Sequence, residues 1–391
     1  MKGTADGPKP PAARIASLDA LRGVALCGIL LINIIPMGGP IAMDRPMAPP
    51  AAADADWQLW ILSQLFVTGT MRGLFSLLFG AGLLIFIGED RDGDRSALYM
   101  RRLAALLLFG IIDSTLLLWP GDILVTYAVA GLFVMIFHSL RPAWLLVLAA
   151  IILAAASGWA AIEARSVTPA ETIYTPAMLA REGAARLGGY AEAFRYLSFV
   201  SLSWTFDIVS LRWVADTGAL MMIGMALYRT GLLAKDADPR TLAAFAVVGY
   251  AIGLLLRLAH LIVILENGGA PTFASGLIDQ PGRVAMTLGH VGLFQLFWRS
   301  RAMPQAKRLL GLMGRMALTL YLGQSVAAAT LFSGFGFGLW NQLTWAGLWL
   351  AASGILVGEA IFALLWLQAF RYGPVEWLWR YLTYGSRPAM H

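Results

Sequence analysis

The sequence predicts an all-α, polytopic integral membrane helical bundle, and three observations carry that prediction. Of 391 residues, 59% are hydrophobic and 13% charged, against about 45–50% and about 25% in soluble domains. The apolar residues gather into ten runs of about 20, the length that spans a ~30 Å hydrocarbon core. The basic residues alternate: twenty Lys and Arg fall in one set of alternate gaps and seven in the other, with Arg72 and Arg257 inside runs completing the 29. The positive-inside rule assigns the richer gaps, and with them both termini, to the cytoplasm.

The spans are expected at 20–38, 71–88, 103–119, 123–140, 143–162, 213–230, 241–265, 282–299, 316–333 and 345–367. Residues 1–13, with Lys2, Pro8, Pro10 and Pro11 among small residues, read as a disordered cytoplasmic tail. Residues 14–162 form an N-terminal transmembrane half. The first run follows a basic start, as a signal peptide would. The nearest small-residue stretch, Ala51–Ala53, lies far downstream, so the run is read as a retained span. Asp56 to Thr68 is apolar but too short to cross, which suggests an interfacial or re-entrant helix with Trp57 and Trp60 at headgroup depth.

Residues 163–212 begin polar and end apolar, and are expected to be an outer cap with an amphipathic helix. Residues 213–385 form a C-terminal transmembrane half, and 386–391 a short tail. The formal charge of +6 is spread over span ends rather than gathered in one patch, which excludes nucleic acid as a partner and points to membrane lipids. Cys27 is the only cysteine, so no intrachain disulfide forms. No Cys/His spacing suits a metal, and none is expected.

Ionisable groups inside a bilayer cost at least ~2.5–3.5 kcal/mol each, so those present are expected to face the protein interior. Most lie toward the outer side: Asn33, Arg72, Asp113, Asp122, Asp216, Arg257, His260 and His290. Interhelical ion pairing, Arg257 with Asp113 or Asp216 for instance, accounts for such a group. So does a polar cavity opening outward. Each histidine suits a structural hydrogen bond as well as a general base. A second group lies inward: Arg22 at the start of the first span, Arg315 at the start of the ninth, and Gln324 beyond it. Arg22 and Arg315 could snorkel to headgroups or bind the phosphate of a lipid or donor. The glycines at 334, 336 and 338 lack the Lys-Ser/Thr of a phosphate loop.

Five stretches carry a resemblance. They are Ser17-Leu18-Asp19-Ala20-Leu21-Arg22-Gly23, Leu74 to Gly82, Trp119 to Leu124, Gly314 to Leu322 with Gln324-Ser325, and Phe370 to Arg380. In this order they resemble the YeiB family of bacterial inner-membrane proteins, whose C-terminal half is a domain of unknown function, number 418. The N-terminal motif also resembles transmembrane acyltransferases of the heparan-glucosaminide N-acetyltransferase type. Those enzymes take an acyl group from cytosolic acyl-CoA to a sugar on the far side and carry a histidine soon after the position of Asn33. Here the first histidine is His138.

The expectation is therefore a multi-pass inner-membrane acyltransferase with acyl-CoA as co-substrate, no bound cofactor, a glycan or lipid acceptor, and a homodimer as one assembly. Asp113, Asp122, His260 and His290 are its candidate catalytic groups. Asn33, Arg72, Asp216, Arg257 and Gln324 would bind substrate, and Arg22 and Arg315 the donor phosphates. The alternatives are a transporter for a small polar solute or lipid, lined by the same charges, and a non-catalytic scaffold.

Overall fold

A computed structural model describes residues 16–43, 45, 46, 54–88, 94–167, 174–233 and 237–390. The expected tail 1–13 and part of the expected cap, residues 168–173, lie outside them. Among the described residues every regular element is a helix. The order is α1 (Ala16–Gly38), α2 (Ala55–Phe66), α3 (Thr70–Ile87), α4 (Asp94–Thr115), α5 (Leu124–Met135), α6 (Pro142–Glu163), α7 (Pro176–Arg186), α8 (Tyr190–Phe206), α9 (Ile208–Arg229), α10 (Pro239–Glu266), α11 (Phe273–Arg299), α12 (Pro304–Arg315), α13 (Ala317–Phe332), α14 (Trp345–Ala369) and α15 (Pro374–Tyr384).

Local chemistry sets several of these boundaries. Proline stands in the first turn of α6, α7, α10, α12 and α15, where its missing N–H costs nothing. Asp238, Thr272 and Thr344 cap α10, α11 and α14 by accepting orphan backbone N–H groups. Gly385, at φ +67°, ends α15 in the left-handed conformation glycine adopts freely.

Helices lie over all ten apolar runs. Five stretches are long and apolar enough to cross a membrane: Ala16–Gly38, Ala55–Ile87, Pro142–Glu163, Pro239–Glu266 and Trp345–Ala369. Tyr190–Phe206 and Ser210–Arg229, bent by 67°, make a sixth if they are one broken span. Two helices are shorter than the runs they cover. α5 has 12 residues and α13 has 16, about 18 and 24 Å at ~1.5 Å per residue. The turn before α5 therefore sits deeper in the bundle than its apolar run suggests. The Ile123 amide donates to the Tyr321 hydroxyl at 3.2 Å, and Tyr321 lies only about 6 Å along α13 from Ala317.

Small residues let the helices approach. A Cβ at Gly80 of α3 would stand 1.9 Å from the Met221 carbonyl oxygen of α9, and one at Gly224 of α9 would stand 1.9 Å from that of Leu77. α1 meets α12 in the same way: a Cβ at Gly314 would fall 1.7 Å from the Asp19 carbonyl oxygen. Close backbone approach through small residues is how helices gain packing when lipid is as apolar as their side chains.

Two peripheral elements matter for the site. Trp57 and Trp60 of α2 are buried and packed edge to face at 5.2 Å. They are covered by the protein, since α2 packs against α10 and α14. Asp56 of α2 accepts the Ala346 amide at 3.0 Å, tying α2 to the first turn of α14. The expected cap contains α7 and α8. Its anchor is the buried Glu182–Arg186 pair at 2.7 Å. Arg186 donates to the Met37 and Pro36 carbonyls, both at 3.1 Å, at the carbonyl end of α1 where a cation is favoured. Glu182 accepts the Ile41 amide at 3.0 Å and the Tyr174 hydroxyl.

Candidate functional site

A cavity of about 520 Å³ runs into the bundle between α1, α3, α4, α5, the end of α12, α13 and α15. Five arginines line it: Arg22, Arg95, Arg102, Arg315 and Arg380. Among the described lining residues two carboxylates, Asp19 and Glu376, accompany them, so cations outnumber anions there. Arg22 pairs with Asp19 at 2.7 Å. Arg102 stacks on the Trp379 ring at 3.6 Å and has Arg380 and Arg22 as charged neighbours. Arg315 donates to the Arg371 carbonyl at 3.1 Å.

Glu376 serves the framework. Its Oε1 accepts the Leu318 and Thr319 amides at 2.7 and 3.0 Å, and its Oε2 accepts the Thr319 hydroxyl at 2.5 Å. A carboxylate from α15 thus caps the positive end of α13. Burial pushes the Glu376 carboxyl above its ordinary range, while the bonds from Thr319 and Leu318 pull the other way.

Beyond the arginines the walls are apolar: Leu26 and Ile29 of α1, Leu78 and Phe79 of α3, Leu106 of α4 and Leu124 of α5. Tyr127 and Tyr321 add polar tips deeper in. Tyr127 donates to the Arg72 carbonyl at 3.0 Å and lies 2.9 Å from the Ser76 hydroxyl. Tyr321 donates to Asp122 at 3.3 Å. Asp122, just behind this wall, also accepts the Val125 amide at 2.9 Å as it caps α5. Asp113, wholly buried, faces Asp122 and Ser325 without a fully formed hydrogen bond to either.

The predicted residues therefore separate. Arg22 and Arg315 line the mouth, and Asp113 and Asp122 form a pair behind its inner wall. Gln324 lies one turn along α13 from Tyr321 and donates to Glu359 at 3.0 Å. Asn33, partly buried on α1, is not in the cavity wall. Arg72 lies over the Trp213 ring at 4.7 Å and has Asp216, Arg283 and Asp279 as charged neighbours.

Arg257, His260 and His290 belong to a different place. Arg257 meets Asp279 at 3.1 Å, rather than Asp113 or Asp216. It also donates to the Gln64 and Thr68 carbonyls. Asp279 further pairs with Arg283 at 2.8 Å and lies 3.8 Å from His260. The His260 Nδ1 is 3.2 Å from the Ser275 carbonyl. His290 Nε2 lies 2.8 Å from the Phe66 carbonyl and its Nδ1 lies 2.7 Å from the Tyr250 hydroxyl. A carbonyl only accepts, so Nε2 carries the proton and Nδ1 receives that of Tyr250. Both ring nitrogens are engaged in holding α2 against α10 and α11.

Sequence reasoning missed Asp279, Arg95, Arg102, Arg380 and Tyr127, and placed Tyr321 only among the polar residues that follow Arg315. Asp279 fell in a stretch read as loop, yet it lies in the first two turns of α11. Arg102 and Arg380 were counted as topology signals. Tyr321 and Arg380 stand inside the motifs, which was the available signal.

The family description "Protein of unknown function (DUF418)" matches residues 227–386. The chain is 30% identical to "Uncharacterized protein YeiB" of Escherichia coli (strain K12) over 385 residues, 95% of this chain and 96% of that protein. The chain belongs to the YeiB family. It is also 27% identical to "Uncharacterized protein YxaH" of Bacillus subtilis (strain 168), over 95% of both chains. To an "Uncharacterized 39.9 kDa protein in amylase 3'region" of Bacillus acidopullulyticus it is 29% identical, over 96% of this chain and 95% of that one. In this YeiB-family chain the DUF418 segment supplies Arg315, Tyr321, Glu376 and Arg380, and the N-terminal half supplies Arg22, Arg95 and Arg102. The cavity is made jointly.

Proposed function

We propose that this YeiB-family protein is a membrane-embedded acyltransferase, moving an acyl group from a donor at the basic mouth to an acceptor on the other side. One observation carries the reading: a single cavity joins a five-arginine mouth to an apolar shaft ending at Tyr321, with the Asp122–Asp113 pair behind it. Arginines suit the phosphates of acyl-CoA. On this reading the ten helices over the apolar runs cross the bacterial cytoplasmic membrane, with both termini and the basic mouth in the cytoplasm. A glycan or lipid hydroxyl is the acceptor.

The step balances as follows. The acceptor hydroxyl passes its proton to the Tyr321 oxygen as Tyr321 gives its own to Asp122, to which it is bonded. The acceptor oxygen bonds to the thioester carbonyl carbon, the C–S bond breaks, and its electron pair leaves on sulfur. The proton then passes to the thiolate. Tyr321 holds Asp122 in place.

Purified protein given radiolabelled acyl-CoA, with membrane lipids and glycans as acceptors, tests this. The expected result is label in an acceptor, lost about 10²–10⁴-fold in Asp113→Asn or Asp122→Asn, the range of general acid–base contributions. No transfer, no donor hydrolysis and no stabilisation by CoA compounds would sink the proposal. A second reading, a permease, is favoured by the Arg72, Asp216, Asp279 and Arg283 network, since intramembrane charges often mark solute paths. It requires solute accumulation in vesicles without chemical change.

A further inference from the structure

We propose that Asp113, Asp122 and Ser325 form a binding site for one sodium ion behind the inner wall of the cavity. The inference deepens the acyltransferase reading, in which Asp122 takes the proton of Tyr321, but the ion is bound whether or not transfer follows.

The first observation is an uncompensated pair. Asp113, on the last turn of α4, is wholly buried, and neither of its carboxylate oxygens has a hydrogen-bond partner. Its charged neighbour is Asp122. Gly110 brings the two together: a Cβ there would stand 2.7 Å from Asp122 Oδ2, one turn before Asp113 on the same face of α4. Among the described residues no Lys, Arg or His pairs with either carboxylate. Two carboxylates side by side in a membrane interior need a positive charge between them.

The second observation is a further oxygen aimed at the pair. Ser325 is 2% exposed, its hydroxyl has no hydrogen-bond partner, and it faces Asp113. It stands one turn along α13 from Tyr321, which donates to Asp122 Oδ1 at 3.3 Å. Asp122 Oδ2 is taken by the Val125 amide. Both Asp113 oxygens, Asp122 Oδ1 and the Ser325 hydroxyl thus converge with lone pairs to spare. The Asp113 and Ser325 oxygens are closed to water, and a bare sodium ion is smaller than a water molecule. Four oxygens fall short of the roughly six to eight that calcium takes, and magnesium would keep waters for which there is no room.

The third observation is the backbone. The turn between α4 and α5 lies at bundle depth. Leu118 adopts φ +63° there, a conformation rare for a bulky side chain, and the Trp119 amide returns to the Asp113 carbonyl at 3.1 Å. Asp122 is thereby brought to the carbonyl end of α4, where a cation is favoured. Helix carbonyl ends and unwound backbone at membrane depth are where membrane proteins hold sodium. With the ion in place both carboxylates stay ionised, and Asp122 keeps a lone pair for the Tyr321 proton. Without it the pair must hold a proton of its own, and that proton occupies the base.

The test measures unfolding temperature and binding of radioactive sodium on detergent-solubilised full-length protein, in sodium, potassium, magnesium and choline chlorides at constant ionic strength. A single sodium should bind and raise the unfolding temperature above that in choline or potassium, as a ligand of the folded state does. Asp113→Asn should lose the sodium response and, in choline, unfold no earlier than wild type, since it removes one of two like charges. Ser325→Ala should weaken sodium binding roughly tenfold, as loss of a polar contact to a charge does. Equal unfolding temperatures in sodium and choline would overturn the inference. So would a response to magnesium alone, or a sodium response kept by Asp113→Asn. Stabilisation that follows acidification and ignores sodium would put a shared proton in place of the ion and overturn it too. Should Asp113→Asn fail to fold, Ser325→Ala decides, with sodium binding at wild-type affinity counting against the site. Sodium binding without acyl transfer to any acceptor would overturn the acyltransferase reading and leave this one standing. Acyl transfer at one rate in sodium and choline, with no sodium bound, would do the reverse.

Discussion

Gly80 and Gly82 stand two residues apart on α3 and serve opposite ends. A Cβ at Gly80 would collide with the backbone of α9, whereas one at Gly82 would enter the cavity. Gly80→Ala is therefore expected to cost about 1–3 kcal/mol, as overpacking does, and to lower the unfolding temperature in detergent. Gly354→Ala on α14, where nothing lies within 4 Å, should leave that temperature unchanged or raise it. A sequence presents both motif glycines as the same letter, because the difference lies wholly in what the neighbouring helix brings near. His290 makes the same point for a reactive side chain. Its type suggested a base, but its two nitrogens are taken by Phe66 and Tyr250. His290→Ala should thus lower stability by about 1–3 kcal/mol through the unpaired carbonyl and hydroxyl. Acyl transfer by the folded variant should stay at the wild-type rate.

At the scale of elements, the helices over the apolar runs were legible because a span must be apolar along its length. The basic ends of the spans were legible too, since they are counted directly. The depth of the turn before α5 was not, because the run at 123–140 does not show where the helix within it stops. The partners of α2 were hidden for a related reason: an apolar stretch of that length does not show which helices will cover it. Two side chains, Arg257 of α10 and His290 of α11, hold its carbonyl end, and neither lies near it in sequence. The cap offers a direct test. Glu182→Ala leaves the Arg186 guanidinium buried against α1 without its partner, and removing one member of a buried pair costs about 3–5 kcal/mol. Limited proteolysis should then cut between α6 and α8 faster than in wild type, while α14 stays protected.

Across the whole molecule, the five motifs of the sequence turn out to meet. Gly314 presses on Asp19, Glu376 caps the helix that carries Thr319, and Asp122 receives Tyr321. Their order along the chain gave no hint that they would border one cavity. The proposed orientation is open to labelling, since Cys27 is the only native cysteine. In a Cys27→Ser background, Ser386→Cys should react with an impermeant maleimide only after the inner membrane is opened. Ser166→Cys, exposed beyond α6, should react from the periplasmic side in intact spheroplasts. Reaction of both from one side would overturn the five spans expected between them.

The clasp between Glu376 and the start of α13 carries a consequence for how the protein is made. A ribosome delivers α1 to the membrane hundreds of residues before α15 leaves the exit tunnel. Until α15 arrives, α13 has an uncapped amino end, and the basic mouth lacks the Trp379 and Arg380 side of its rim. The binding site is thus completed only by α15, so a nascent chain cannot acquire the finished pocket before that helix has emerged.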